Sequence, residues 1–390
     1  MRRIRCAPRT DAARSLESQG LSFHGVDDYW NEKAFYQFTS DQIDVLESAT
    51  ETLHAMCLQA VRHVVHRMDF ARLGIPRRFW EKIVESFEEE DFSLYGRLDL
   101  AYDGSSPPKL LEYNADTPTS VLESAVCQWY WLADVFPDAD QFNALHEKLV
   151  GRWRALGGSG AVHFASLRDN EEDWVSVAYL MDTAEQAGRE VRWIAIEDIG
   201  WDSARSRFVD EDRNPIETMF KLYPWEWIFR EDFGRHVLGN GTMFIEPPWK
   251  AILSCKGLLP VLWELFPGHE LLLPAYFQPG RLDAYARKPL YSREGANVEL
   301  VRGGTVLAKQ EGPYGTQACI EQALHPLACF DGHYAVIGSW LVGGQAAGIC
   351  IREDASPITT DQSRFVPHII EPGASNGGDP YHAALAGSGG

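Results

Sequence analysis

The chain has 390 residues, 45% hydrophobic and 24% charged, enough for a large core divided into two or three lobes. Its formal net charge of −20 excludes a broad nucleic-acid or anionic-membrane footprint, which requires positive charge. No run of about twenty apolar residues occurs and no apolar signal core follows the basic start, so the chain reads as cytoplasmic.

In chain order, residues 1–20 are polar and are expected to be loosely held. Thr39, Ser40, Asp41 and Gln42 have the spacing of a capping box, and apolar residues then recur at helical spacing from Ile43 to Val64. A second helix begins near Pro76 and ends in the acidic run 88–91. Residues 93–102 and 109–114 read as strands around the turn signal 103–108. Residues 119–154 read as helical. Strand candidates follow at 162–167, 191–196 and 219–222, with a helix between the first two, so 119–222 is expected to form an α/β sublobe. A second sublobe starts near Pro247 and holds a helix at 258–266. Gly343 and Gly344 separate two apolar runs and signal a hairpin. Residues 21–372 thus read as one module, and 373–390, rich in Gly, Ala and Ser, as a flexible tail. The run 373–377 matches the nucleophile-elbow pattern formally, but no strand precedes it and no helix follows.

The most informative stretch is 96–120. Arg97 and Asp99 are two apart on one expected strand, and Glu112 and Asn114 are two apart on the next. Side chains two apart share a face of a strand. If the strands pair, two carboxylates and an amide converge, the hard oxygen set that suits Mg²⁺. Arg97 would then suit an anionic substrate group. A solvated face with an ordinary ion pair is the other reading of the same spacing. The hydroxyl-rich run 117–120 leads into a helix start, which favours anions.

Glu112-Tyr113-Asn114-Ala115-Asp116 resembles the signature of the glutathionylspermidine synthase family, and the likeness extends over roughly residues 20–371. It implies an α/β (α+β) fold: an ATP-grasp fold with a pre-ATP-grasp α/β sublobe, glutathione synthetase-like. It implies Mg²⁺ on Asp99, Glu112 and Asn114, and a carboxylate substrate against Arg97, Thr117 and Thr119, where the family usually has serines at the last two positions. Lys256 and Lys288 match its ATP-binding lysines, and Ser292 and Gly295 its glycine-loop lid within a sublobe at 247–310. Gln310, Glu311 and Tyr314 resemble the hinge that carries adenine. Arg352 matches an arginine that steadies the charge developing at the acyl phosphate, a role that calls for a fixed cation. Glu353 and Asp354 after it read as further acidic contacts or as surface. Glu171 and Glu172 match a pair that receives the amine. Arg364 stands where the polyamine enzymes carry a carboxylate, with Asp361 nearby but out of register, a departure that argues against spermidine. The length leaves no room for the amidase domain of bifunctional members.

The activity implied is an ATP- and Mg²⁺-dependent ligase that joins a small-molecule or peptide carboxylate to an amine through an acyl phosphate. The rival readings are a phosphotransferase on the same site and a non-catalytic nucleotide-binding partner.

Overall fold

A computed structural model describes residues 1–371. The expected tail 373–390 and the elbow-like run 373–377 lie outside the described residues. Among the described residues, no helix is long and apolar enough to cross a membrane.

The long helix Ser40–Arg67 organises one side of the core. Thr39 caps it as the spacing predicts: Gln42 N–H donates to Thr39 Oγ1 at 3.3 Å, and Gln42 Oε1 accepts from Thr39 N–H at 3.1 Å. Its buried face includes Leu46, Leu53, Cys57, Ala60 and Val64. A 2.6 Å hydrogen bond between the hydroxyls of Thr50 and Ser339 pins it to the central sheet.

That sheet is antiparallel. Its order is Arg364–Val366, Gln345–Asp354, His333–Val342, Tyr95–Ala101 and Lys109–Asn114, with the short Cys329–Phe330 beside His333–Val342. The hairpin at Gly343 and Gly344 forms as expected. Both glycines have positive φ, 56° and 83°, the two-residue turn that matches strand twist.

A parallel sheet flanks it in the order Met243–Ile245, Thr218–Lys221, Val162–Ser166, Val191–Ala195. The fourth strand, Met243–Ile245, extends this sublobe past the 119–222 span. The helical region 119–154 is interrupted: a π-helix at Glu123–Cys127 leads into helices Gln128–Val135 and Leu145–Arg154.

The third large sheet is antiparallel and covers the region expected to form the lid: Ala275–Tyr276, Cys319–Ala323, Ala284–Pro289, Glu299–Arg302, Thr305–Lys309. Cys319–Ala323 inserts beside Ala284–Pro289, so this sheet reaches past residue 310. Residues 324–328 then lead straight back to the central sheet.

The first twenty residues are not loosely held. Arg2–Arg5 is a strand against Ala34–Phe38, which also pairs with His368–Ile370. Arg3 makes two bonds of 2.7 and 2.8 Å to Glu353, which also accepts from Tyr36 and Asn31. Glu353, read as a possible surface group, is fully buried and anchors this strand. Its partner lies 350 positions away in sequence, so local pattern could not reveal it.

Candidate active site

The turn between Tyr95–Ala101 and Lys109–Asn114 is held by Asp103, whose Oδ1 accepts from the N–H groups of Ser105 and Ser106 at 2.8 and 2.7 Å. This fixes the register, with Arg97 opposite Asn114 and Asp99 opposite Glu112. The four polar groups therefore share one face. Asp99 accepts from Arg97 Nε at 2.8 Å, from Arg352 Nη2 at 2.9 Å and from Asn114 Nδ2 at 3.2 Å. Asn114 Nδ2 also lies 3.3 Å from Glu112 Oε1. Arg97 donates through Nη1 to the Thr119 carbonyl at 2.8 Å, tying the hydroxyl-rich loop to the same floor.

Arg97 has room because Gly338 lies beside it on the neighbouring strand. A Cβ at Gly338 would stand 2.7 Å from Arg97 Cδ and 2.6 Å from Cys350 Sγ. Gly338→Ala is expected to destabilise the fold by about 1–3 kcal/mol through overpacking, measurable as a lower urea midpoint.

Two lysines stand over this floor, Lys288 on strand Ala284–Pro289 and Lys256 between helices Lys250–Ser254 and Leu258–Leu265. Lys256 ion-pairs with Glu112 at 3.1 Å and donates to the Ser292 carbonyl at 2.5 Å. Lys288 donates to the Leu111 carbonyl at 2.9 Å and to Gln322 at 2.8 Å. Burial opposes ionisation of Glu112, but the two lysines hold its carboxyl well below the usual range. Burial pulls Lys288 down to about 8 against the attraction of Glu112. Gly295, at φ 68°, lets its loop press on residues 358–359: a Cβ there would meet the Thr359 carbonyl at 2.5 Å. From the same loop, Arg293 donates to Thr117 Oγ1 at 2.8 Å and to Glu226 at 2.9 Å.

Together these groups line a cleft of about 640 Å³. One end is polar, with Arg97, Asp99, Glu112, Asn114, Thr117, Thr119 and Arg352. The other is an apolar slot of Val298, Leu300, Leu307, Leu324 and Leu327. Gln310, Glu311 and Tyr314 do not line it. They sit in the outer loop after Thr305–Lys309, where Glu311 pairs with Lys309 and the Tyr314 N–H bonds Asn297. Residues 324–327, the link back to the central sheet, do line the cleft.

A second cavity, about 570 Å³, lies beside the cleft. Asp27, Asp169, Glu171, Glu172, Glu197 and Asp361 line it with Phe23 and Tyr29, and no Lys or Arg does. Glu171 and Glu172 open the helix Glu171–Gln186, capped by Asn170, whose side chain accepts from the Asp173 N–H at 3.0 Å. The two glutamates separate: Glu171 faces only the acidic cavity and accepts from Ser22 at 2.5 Å, whereas Glu172 lines both cavities. Arg364 does not enter either cavity. Its strand turns it toward Glu353, 3.5 Å away, and His333. Asp361, out of register in sequence, is the residue that faces the acidic cavity. Position in linear register therefore does not put Arg364 at either cavity.

The donor set fits Mg²⁺. Among the described residues no cluster of three His, Cys, Asp or Glu side chains could hold a metal by itself. Two carboxylates and an amide on one face make a partial shell that leaves positions for phosphate oxygens, which is how Mg²⁺ is usually held.

The family model for the glutathionylspermidine synthase preATP-grasp matches residues 3–371. The chain belongs to the glutathionylspermidine synthase family. Among similar proteins, one from Haemophilus influenzae provisionally named acid–amine ligase is 39% identical over 95% of this chain and 100% of its own length. The trypanothione synthetase of Crithidia fasciculata is 30% identical over 80% of this chain, and the bifunctional glutathionylspermidine synthetase/amidase of Escherichia coli is 28% identical over 86%. The chain spans only 53% and 59% of those two longer relatives. A glutathione synthetase-like effector of Globodera pallida superposes with a TM-score of 0.54 at 12% identity, covering 94% of this chain and 100% of its own. The fold of this glutathionylspermidine synthase relative is thus ATP-grasp, glutathione synthetase-like.

Proposed function

We propose that the chain, an ATP-dependent acid–amine ligase by family, joins a glutathione-type peptide carboxylate to a cationic amine through an acyl phosphate. The observation that carries this is the acidic cavity beside the Arg97–Asp99–Arg352 cleft: a cation pocket adjoining a site for anions. Lys256, Lys288 and the Gly295 loop hold nucleotide phosphates, and the apolar slot at 324–327 takes the base. Arg97, Thr117 and Thr119 orient the carboxylate. Asp99, Glu112 and Asn114 would hold Mg²⁺, which when bound neutralises phosphate charge during transfer. Arg352 offsets charge that develops as the acyl phosphate forms and is attacked. Glu171, Glu172 and Asp361 receive the amine. Positioning and charge neutralisation carry most of the reaction, because little covalent chemistry falls to side chains.

The test is ADP release by the purified protein with Mg·ATP across a panel of carboxylates and peptides including glutathione, with and without spermidine and related amines. Release that needs both partners, with an amide product by mass, is the expected result; amine-independent release would indicate a phosphotransferase. Glu172→Gln is expected to raise KM for the amine about tenfold, the loss of one charge-assisted contact, with little change in KM for ATP.

A further inference from the structure

An amine that binds as a cation cannot attack carbon until it has lost a proton. One group on the wall of the acidic cavity leads elsewhere. The Tyr29 hydroxyl donates to Glu123 Oε1 at 2.6 Å and lies 3.1 Å from Ser120 Oγ. Ser120 directly follows Thr119, whose carbonyl is held by Arg97 on the cleft floor. Tyr29 therefore stands where the cavity wall and the cleft loop meet, with Glu172 shared between the two spaces.

Local structure sets this group apart. Ser120 is left-handed, with φ 66°, and Glu123 opens the π-helix Glu123–Cys127. Strained backbone and π turns both persist where the surroundings over-determine them, often at functional sites. Glu123 is 1% exposed, and among the described residues Tyr29 is the side chain that donates to its carboxylate.

We infer that Tyr29 and Glu123 form a proton relay for the incoming amine, an inference that rests on the ligase reading above. The ammonium gives a proton to the Tyr29 oxygen as the Tyr29 hydroxyl proton passes to Glu123. The neutral amine nitrogen then forms its bond to the acyl carbon. The carbon–oxygen bond to phosphate breaks, and phosphate leaves with the electron pair and takes up the second amine proton. Glu123 returns its proton through Tyr29 to solvent in the cavity. Tyr29 touches the substrate in this scheme, and Glu123 acts through it.

The electrostatics suit the role. Burial raises the Glu123 carboxyl to about 7, with Glu172 pushing the same way and Tyr29 and Arg97 pulling down. Cys127, four positions along its own helix, also faces it. A carboxyl at this level exchanges a proton near neutral pH, and it stands apart from the acidic side chains that receive the cation.

The test compares two nucleophiles, with Mg·ATP and glutathione. Spermidine must be deprotonated; hydroxylamine attacks acyl phosphates as a neutral molecule and gives a hydroxamate. Glu123→Gln keeps an acceptor for Tyr29 but cannot take a proton, and it removes a charge that burial disfavours, so it folds. Tyr29→Phe breaks the relay at its other end. Both variants are expected to lose roughly 10²-fold or more in kcat with spermidine and to lose the acid limb of the pH profile near 7, while hydroxamate formation stays at the wild-type rate. Equal loss with both nucleophiles, or loss with neither, would overturn the relay. Hydroxamate from the wild type with no spermidine product would also overturn it, since no ammonium would be served. No hydroxamate from the wild type would overturn the ligase reading and the relay together.

Discussion

Arg352→Ala is expected to lower kcat by about 10²–10³-fold while KM for ATP changes little, the usual cost of removing one fixed group that meets developing oxyanion charge. Arg352 reaches Asp99 from the far hairpin strand at 2.9 Å, and its side chain is 16% exposed, so the guanidinium stands at the edge of the cleft. If its only task were to brace Asp99, removal would loosen the Mg²⁺ shell, and KM for Mg·ATP would rise with kcat nearly intact. Steady-state kinetics of the alanine variant separate the two. Arg352→Lys keeps the charge without the planar fork and is expected to recover part of the rate.

The second large effect is on stability. Lys221 and Asp116 form a 2.6 Å ion pair with side chains 1% and 0% exposed, and Asp116 also accepts from the Trp225 N–H at 2.7 Å. The pair fastens the parallel sheet to the loop after the hairpin of Tyr95–Ala101 and Lys109–Asn114. Burial lowers the affinity of Lys221 for its proton, and Asp116 opposes that. Lys221→Met leaves Asp116 buried and unpaired, and it is expected to cost about 3–5 kcal/mol in urea unfolding. Asp116→Asn in the same background should restore much of the loss. Additive losses in that cycle would show that the two side chains do not act as a pair.

What the sequence disclosed, and what it withheld, divides by range. Thr39 with Gln42, Asp103 with its two serines, and Gly343 with Gly344 are local devices, so the helix start and both hairpins were legible from a few residues. The convergence of Arg97, Asp99, Glu112 and Asn114 follows from one hairpin register and was legible for that reason. Lys256, Lys288 and Arg352 were reached only through family likeness, since an isolated lysine or strand-end arginine has no pattern of its own. The order of the third sheet was not legible because it is non-sequential: Cys319–Ala323 inserts beside Ala284–Pro289. Tyr29 was missed, and Asp361 was seen only as out of register, because they come to the acidic cavity from opposite ends of the chain; Arg364 lies away from it because position in sequence does not fix position in space.

The small sheet that joins the two ends of the described chain has a consequence for synthesis. Arg2–Arg5 rests on Ala34–Phe38, and that strand finds its other neighbour only in His368–Ile370; Arg2 and Glu371 even meet at 3.1 Å. A ribosome must therefore pass residue 370 before the earliest strands can be enclosed, and Glu353 cannot meet Arg3 until almost all of the chain has emerged. Nascent chains arrested before that point would hold an open strand edge throughout translation, the form most exposed to chaperones and to strand-edge association.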